Sequence, residues 1–348
     1  MSIFIREGDL QTDCELIANA LKCYLSPLAD RTRFEWLYKR NPHGQVRVWI
    51  AVDENREFVG SAAAFPRRLY IGQQKKLGWV FGDFCVSNKH RSLGPAIALQ
   101  RSLLQAADAE GVPVSYDFPS AAMAAVYKRL KIQPAAQMIR MAKLLRVNRK
   151  IREYVRNETL ANGISSVGNS LLYVSNSRPK FGTGISVSLL ESRCGPEFDA
   201  LTERVCSKSA LRVQRSSDYL NWRYLENPYK RHQIMTASRD GSLLGFVVLS
   251  QNNLDAEIVD IFGEDDELVV RTLISEVVEF FRRRGAITVS AELIAMHPWI
   301  EVFKKIGFSP RESKPFIVYT PPNSISLFGT KCAGLDQRWF ITGGDRDS

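Results

Sequence analysis

The chain has 348 residues, 45% hydrophobic and 24% charged, an ordinary globular composition with length enough for two cores. Its formal net charge of +10 is not evenly spread: residues 1–150 carry 23 Lys and Arg against 13 Asp and Glu, and the remainder carry 24 against 24. The six cysteines form no C-x-x-C pair, no His or Cys stands at metal-ligand spacing from another, and no run nears about 18 apolar residues, which excludes a zinc-ribbon scaffold and a membrane-spanning helix.

In chain order, the first predicted element is a helix over 9–25, with apolar Leu10, Cys14, Ile17, Leu21 and Leu25 at a 3–4 spacing. A second helix ends near Lys39, before Asn41-Pro42. Strands are predicted near 46–52, 58–65, 68–72 and 78–86. A helix over 94–110 sets Leu99, Leu103 and Ala106 on one face and stops before Gly111. A strand near 112–116, a helix over 120–130 and a strand over 136–145 close this unit, and a polar connector fills 147–184. The second unit has strand 185–191, helices 196–207 and 217–225, and strands 232–237, 243–250 and 254–262. Helix 267–284, strand 286–292, helix 297–306 and strand 313–319 follow, and the tail from Pro321 on shows no period.

The two units carry an internal repeat. Trp36-Leu37-Tyr38-Lys39-Arg40-Asn41-Pro42 matches Trp222-Arg223-Tyr224-Leu225-Glu226-Asn227-Pro228 as W-x-Y-x-x-N-P, 186 residues apart. Tyr127-Lys128-Arg129-Leu130-Lys131-Ile132-Gln133-Pro134 matches Phe303-Lys304-Lys305-Ile306-Gly307-Phe308-Ser309-Pro310. Two anchors in the same order at similar separation argue duplication. The aromatic residues of W-x-Y read as core packing.

The sharpest chemical feature is Val80-Phe81-Gly82-Asp83-Phe84-Cys85-Val86-Ser87-Asn88-Lys89-His90-Arg91-Ser92-Leu93-Gly94-Pro95-Ala96. An apolar strand runs into a short basic loop, and a helix starts at Gly94-Pro95. Free N–H groups and the helix dipole make such a start an anion site. Gly94 lets the backbone approach a phosphate, Pro95 suits the first turn, and Lys89 and Arg91 add positive charge.

Arg91-Ser92-Leu93-Gly94-Pro95-Ala96 resembles the Q/R-x-x-G-x-G/A loop of GCN5-related N-acetyltransferases (GNAT), which grips the pyrophosphate of acetyl-CoA. The resemblance implies an α/β (α+β) fold of two tandem domains, each a mixed, mostly antiparallel twisted sheet flanked by helices. These would be a domain at 1–146, a connector at 147–184, a degenerate domain at 185–320 and a tail at 321–348. It implies acetyl-CoA or another acyl-CoA as co-substrate, with no metal. Phe84, Cys85 and Val86 would line the pantetheine arm. Lys89, Arg91, Ser92, Leu93, Gly94, Pro95 and Ala96 would hold the phosphates. Tyr127 matches the tyrosine that protonates the leaving thiolate. Asp83 and Asp117 are the candidate bases for the attacking amine. Lys131 departs from the family's Gly, and Ser120 from its frequent Asn.

In the second unit no such loop follows the strand. Four acids, Glu264 to Glu267, stand where pyrophosphate would sit, and Phe303 replaces the tyrosine. Trp339-Phe340-Ile341-Thr342-Gly343-Gly344-Asp345 resembles a terminal W-x-x-T-x-G-D segment of GNAT-like proteins from bacterial surface-polysaccharide clusters. The expectation is therefore a cytoplasmic N-acyltransferase acting by direct transfer on a small primary amine such as an amino sugar. A homodimer is left open, and nucleic acid is disfavoured by the lack of a repeated basic-aromatic motif. Two alternatives stand beside it: a non-enzymatic acyl-CoA-binding or scaffold protein, and a Fem-type aminoacyl transferase using charged tRNA.

Overall fold

The computed structural model describes residues 2–147, 184–206, 211–321 and 339–347; most of the predicted connector and residues 322–338 of the tail lie outside them. In the first half come β1 (Phe4–Gly8), α1 (Cys14–Tyr24), α2 (Arg31–Phe34), β2 (Arg47–Val52), β3 (Phe58–Ile71) and β4 (Gln74–Val86). They are followed by α3 (Leu93–Ala109), β5 (Ser115–Asp117), α4 (Ala121–Arg129) and β6 (Ala136–Leu144). The second half holds β7 (Ser186–Leu189), α5 (Pro196–Cys206), β8 (Leu211–Val213), α6 (Ser217–Leu220), β9 (Gln233–Arg239), β10 (Ser242–Asn252) and β11 (Asp255–Gly263). It ends with α7 (Glu267–Arg283), β12 (Thr288–Ile294), α8 (Ile300–Lys305), β13 (Ser309–Tyr319) and β14 (Trp339–Phe340).

Three sequence expectations change. The predicted helix over 9–25 begins only at Cys14, because Asp9 binds the N–H groups of Gln11 and Thr12 in a turn ahead of it. β1 was not foreseen. The two strands expected at 58–65 and 68–72 are one, running through Pro66. Proline is tolerated because β3 is paired there only on one side. Its ladder to β2 ends at Ala64–Arg47, and β8 joins only from Leu69.

The sheet order reads β1-β2-β3-β4-β5-β13-β6-β12-β11-β10-β9-β7, with β8 and β14 attached beside β3. The order is palindromic: each strand of the first half has its counterpart at the mirrored place. At the centre the last strands are exchanged. β6 lies against β12, from Thr288–Leu144 to Ile294–Met138, and β13 reaches across to β5 at Ile317–Asp117. One strand of each half therefore completes the other's sheet.

The paired tryptophans mark the symmetry point. Trp36 Nε1 donates to the Trp222 carbonyl at 2.9 Å, and Trp222 Nε1 donates to the Trp36 carbonyl at 2.9 Å. Their rings lie 5.4 Å apart, and each sits on a single π-helical turn, Glu35–Lys39 and Asn221–Leu225. Buried indoles need an acceptor, and here each turn supplies the other's.

The second anchor pair ends α4 and α8 in the same way. Ile132 N donates to the Tyr127 carbonyl at 3.0 Å, and Phe308 N to the Phe303 carbonyl at 3.0 Å. The residue between must turn left-handed: Gly307 has φ +95° and Lys131 φ +61°. Lys131 thus keeps the backbone of a glycine position at the cost of a strained side chain.

Candidate active site

β4 and β5 are parallel but stay in register only at Trp79–Ser115 and Val80–Tyr116. Beyond Val80 they part, and β4 has a free edge facing the opening. A bulge against β3 falls between the Ala63–Gly82 and Ser61–Cys85 pairs, and Asp83 within it takes φ +44°. A left-handed aspartate inside a strand is strained, and strain of this kind is held where a side chain must be aimed.

At the far end of β4, Ser92 precedes α3 without a side-chain cap hydrogen bond. Arg91, Ser92, Leu93 and Gly94 are exposed, while Pro95 and Ala96 are buried beneath them. A Cβ placed on Gly94 would meet nothing within 4 Å. Lys89 lies 3.4 Å from Glu57 on the surface, and Arg91 has no ion pair among the described residues. The helix start is thus open, uncapped and basic, the arrangement an anion needs. Phe84 and Val86 pack toward α3 and α4, around Ala96, Met123 and Tyr127. Cys85 is buried with its Sγ 3.3 Å from Ser61 Oγ, and burial pushes its thiol up to about 11, so it holds no thiolate at neutral pH.

Of the candidate catalytic residues, Tyr127 and Asp117 are brought into contact with each other. Tyr127 is buried; its hydroxyl donates to Asp117 Oδ2 at 2.7 Å and accepts from Gln100 Nε2 at 3.1 Å. Burial first, then the Asp117 charge, hold the phenol well above its ordinary value, so it stays protonated. Burial also pushes the Asp117 carboxyl up to about 7, against the hydrogen bond from Tyr127 that lowers it; the nearby Asp347 raises it further. A folded carboxyl at about 7 binds its proton where the unfolded one has lost it. Stability should therefore fall as pH rises from about 4 to 7. Asp117→Asn is expected to flatten that part of a Tm–pH curve, and an unaltered slope would count against the shift.

Asp83 stands across the opening, held by a two-pronged ion pair. Arg33 Nη1 and Nη2 donate to its oxygens at 2.5 and 2.7 Å, and the Tyr38 hydroxyl donates at 2.7 Å. Its oxygens already have three donors, so it fixes the bulge rather than standing open to an amine.

Sequence reasoning missed the next carboxylate. The end of the chain enters the opening, and Asp347 Oδ2 accepts from the Asp83 N–H at 3.2 Å. Gly82 makes room for it, since a Cβ there would collide with the Asp347 carboxylate. Burial and the adjacent Asp83 charge raise the Asp347 carboxyl above the usual range, with Arg33 acting against them. The tail is anchored by Arg223, which donates to the carbonyls of Arg346 at 2.9 Å and Asp347 at 3.1 Å. Tyr116 also donates to the Asp345 carbonyl at 3.1 Å. A cavity of about 450 Å³ opens onto this cluster. One wall brings Leu25, Leu28, Arg33, Trp36 and Asp83; the facing wall brings Tyr224, Tyr229, Lys230 and His232.

The equivalent opening between β11 and β12, which pair only from Asp255–Thr288 to Ile258–Ala291, is closed. Asp260 occupies the place of Asp83 and Tyr224 that of Tyr38, with Tyr224 donating to Asp260 at 2.8 Å. Arg215 binds Asp260 at 2.8 and 3.1 Å and lies 2.7 Å from Asp345. Thr342 donates to Asp260 at 2.7 Å and forms a capping box with Asp345, and Gly344 packs on Asp260 where no Cβ fits. The T-x-G-D segment is therefore a plug. α7 is capped by Asp266, which accepts from Leu268 and Val269 N–H at 2.8 and 3.4 Å. Among the described residues no cluster of His, Cys, Asp and Glu could hold a metal, and no helix is long and apolar enough to cross a membrane.

Comparison with known proteins bears on the fold. No curated protein sequence matches the chain. The fold is similar to a GCN5-related N-acetyltransferase from Anabaena variabilis, with TM-score 0.64 at 12% identity over 92% of this chain and 73% of that one. It is similar to another from Kribbella flavida, with TM-score 0.59 at 16% identity over 91% and 71%. Saccharomyces cerevisiae N-myristoyltransferase with bound myristoyl-CoA gives TM-score 0.57 at 12% identity over 92% and 79%. The chain thus has a GNAT-type fold, and its residues 5–133 match the acetyltransferase (GNAT) domain family.

Proposed function

We propose that the chain is an acyl-CoA-dependent N-acyltransferase, acting by direct transfer, with its one acyl-CoA site in the first half. The observation that carries this is the contrast between two helix starts. α3 opens uncapped and exposed beside the free edge of β4. α7 is closed by Asp266, and the tail fills the opening beside it. A pyrophosphate would sit on the N–H groups of Leu93, Gly94 and Ala96, with Lys89 and Arg91 beside it and Pro95, which has no N–H, shaping the turn. The pantetheine arm would pass Phe84, Cys85 and Val86. The thioester would lie in the opening between β4 and β5.

A primary amine entering the cavity attacks the thioester carbonyl carbon, and the carbon–sulfur bond breaks. Asp347 takes the amine proton; Asp83, fixed by Arg33 and Tyr38, holds the bulge and keeps Asp347 basic. The developing oxyanion would be held by a backbone N–H of β4 other than that of Asp83, which Asp347 already engages. Tyr127 gives its proton to the departing thiolate and regains one from Asp117. The acyl group is acetyl, and the acceptor a small amine such as an amino sugar, in the reading favoured by the sequence.

Calorimetry with CoA tests the site without needing the acceptor. Wild-type protein should bind CoA, and Gly94→Asp, which puts a carboxylate where the phosphate would lie, should weaken binding at least about tenfold. Absence of binding by the wild type, or equal affinity in the variant, would overturn the assignment.

A further inference from the structure

The acceptor cavity shares its far wall with a second cavity. Tyr224, Asn227, Lys230 and His232 also line a second cavity of about 440 Å³, which continues to Arg231, Gln233, Ser250, Gln251 and Arg284. Charge is sorted between the two cavities. At the reacting end lie Asp83 and Asp347, and the cations there are engaged, Arg33 with Asp83 and Arg223 with the tail carbonyls. Among the described residues, the second cavity is lined by three cations, Lys230, Arg231 and Arg284, and by no carboxylate.

Among the described residues no carboxylate forms an ion pair with these cations. Lys230 and Arg231 have no side-chain ion pair among the described residues, and Arg284 spends one N–H on Gln233 Oε1 at 3.0 Å. Nearby acids are used elsewhere: Glu226 by Arg193 at 2.5 Å, and Glu279 by Arg282 and Arg283 at 3.1 and 3.2 Å. Burial lowers His232 to about 4, so it lines both cavities as a neutral ring. The cluster is not part of a generally basic surface, because residues 151–348 are balanced in charge.

We propose that the second cavity is an anion subsite of the acceptor, and that the substrate is an amine carrying a carboxylate or phosphate ester at its other end. This rests on the transferase reading for the direction in which the acceptor lies. An amine placed at Asp347 leaves the rest of its molecule pointing toward Lys230, past the apolar Leu25 and Leu28. Charge-assisted hydrogen bonds to the three cations then hold the anionic end. A substrate with a second cation would meet like charge there and be rejected.

Matched pairs test this: glucosamine against glucosamine 6-phosphate for a phosphate, and tyramine against tyrosine for a carboxylate. Affinity is measured by calorimetry on CoA-loaded and CoA-free protein, with kcat/KM in the presence of acetyl-CoA. In at least one pair the anionic member should be preferred tenfold or more, and the pair that responds identifies the anion. The preference should shrink in 0.5 M salt, on the order of a Debye length of a few Å, and fall toward unity in the double variant Lys230→Ala/Arg231→Ala. Equal binding of both members in both pairs, including no binding of either, overturns the proposal, as does a preference that survives the double variant. CoA binding with equal pairs would sink the subsite and leave the transferase. A pair preference without CoA binding would do the reverse.

Discussion

Asp347→Asn is expected to lower kcat by about 10²- to 10⁴-fold, the range for loss of a positioned general base. CoA affinity should change little, because the substituted group lies at the acceptor side of the opening. The reason is the carboxyl's setting. It is buried beside Asp83, and both effects raise it above the ordinary carboxylate range, which makes it a better proton acceptor than a solvated aspartate. The sign follows: the base must be ionised, so kcat/KM should rise with pH through a raised carboxylate pKa, and that limb should vanish in the amide. Gly82→Ala should give the same loss by a different route, since its Cβ would stand on the Asp347 carboxylate. Either variant keeping more than half of wild-type kcat would remove Asp347 from the mechanism.

Arg215→Ala is expected to destabilise the fold by about 3–5 kcal/mol, the cost of breaking a buried ion pair from one side. Arg215, Asp260 and Asp345 are all essentially without solvent contact. Burial works against the Arg215 charge, yet the two carboxylates keep its pKa well above the ordinary value. Deleting the guanidinium leaves both acids facing each other in a dry site. A urea titration should show a lower midpoint with the tail loosened, seen as earlier proteolysis of the C-terminal residues. A loss under about 1 kcal/mol would mean that water or rearrangement replaces the arginine.

Much of the fold was legible because most elements have plain periodicity and punctuation. Helix α3 was expected at 94–110 and spans Leu93–Ala109; helix α5 was expected at 196–207 and spans Pro196–Cys206. The strand exchange was not legible. Local pattern says that Ala136–Leu144 is a strand, and nothing local says which half it joins. Among site residues, Tyr127 and Asp117 were found through the loop and helix that carry them, and they do meet. Tyr38 was visible in the repeat, but its role is a hydroxyl aimed at Asp83, which packing alone does not suggest. Arg33 has no signal in the sequence at all. Asp347 was hidden because a contact spanning 264 residues leaves no spacing to read. The one hint was the duplicated aspartate, Asp83 and Asp260, on the strands β4 and β11 that hold mirrored places in the sheet.

The traded strands have a consequence for what counts as a folding unit here. A polypeptide ending after β6, or one starting at β7, would carry a terminal strand with no home and a sheet with a vacant slot. Two molecules of such a half could satisfy each other by reciprocal insertion, which is the logic of a swapped dimer written into one continuous chain. Covalent linkage then does what a monomer–dimer equilibrium would otherwise have to do: it holds the partner at a high effective concentration and removes any dependence of the acceptor cleft, which both halves wall, on how much protein is present.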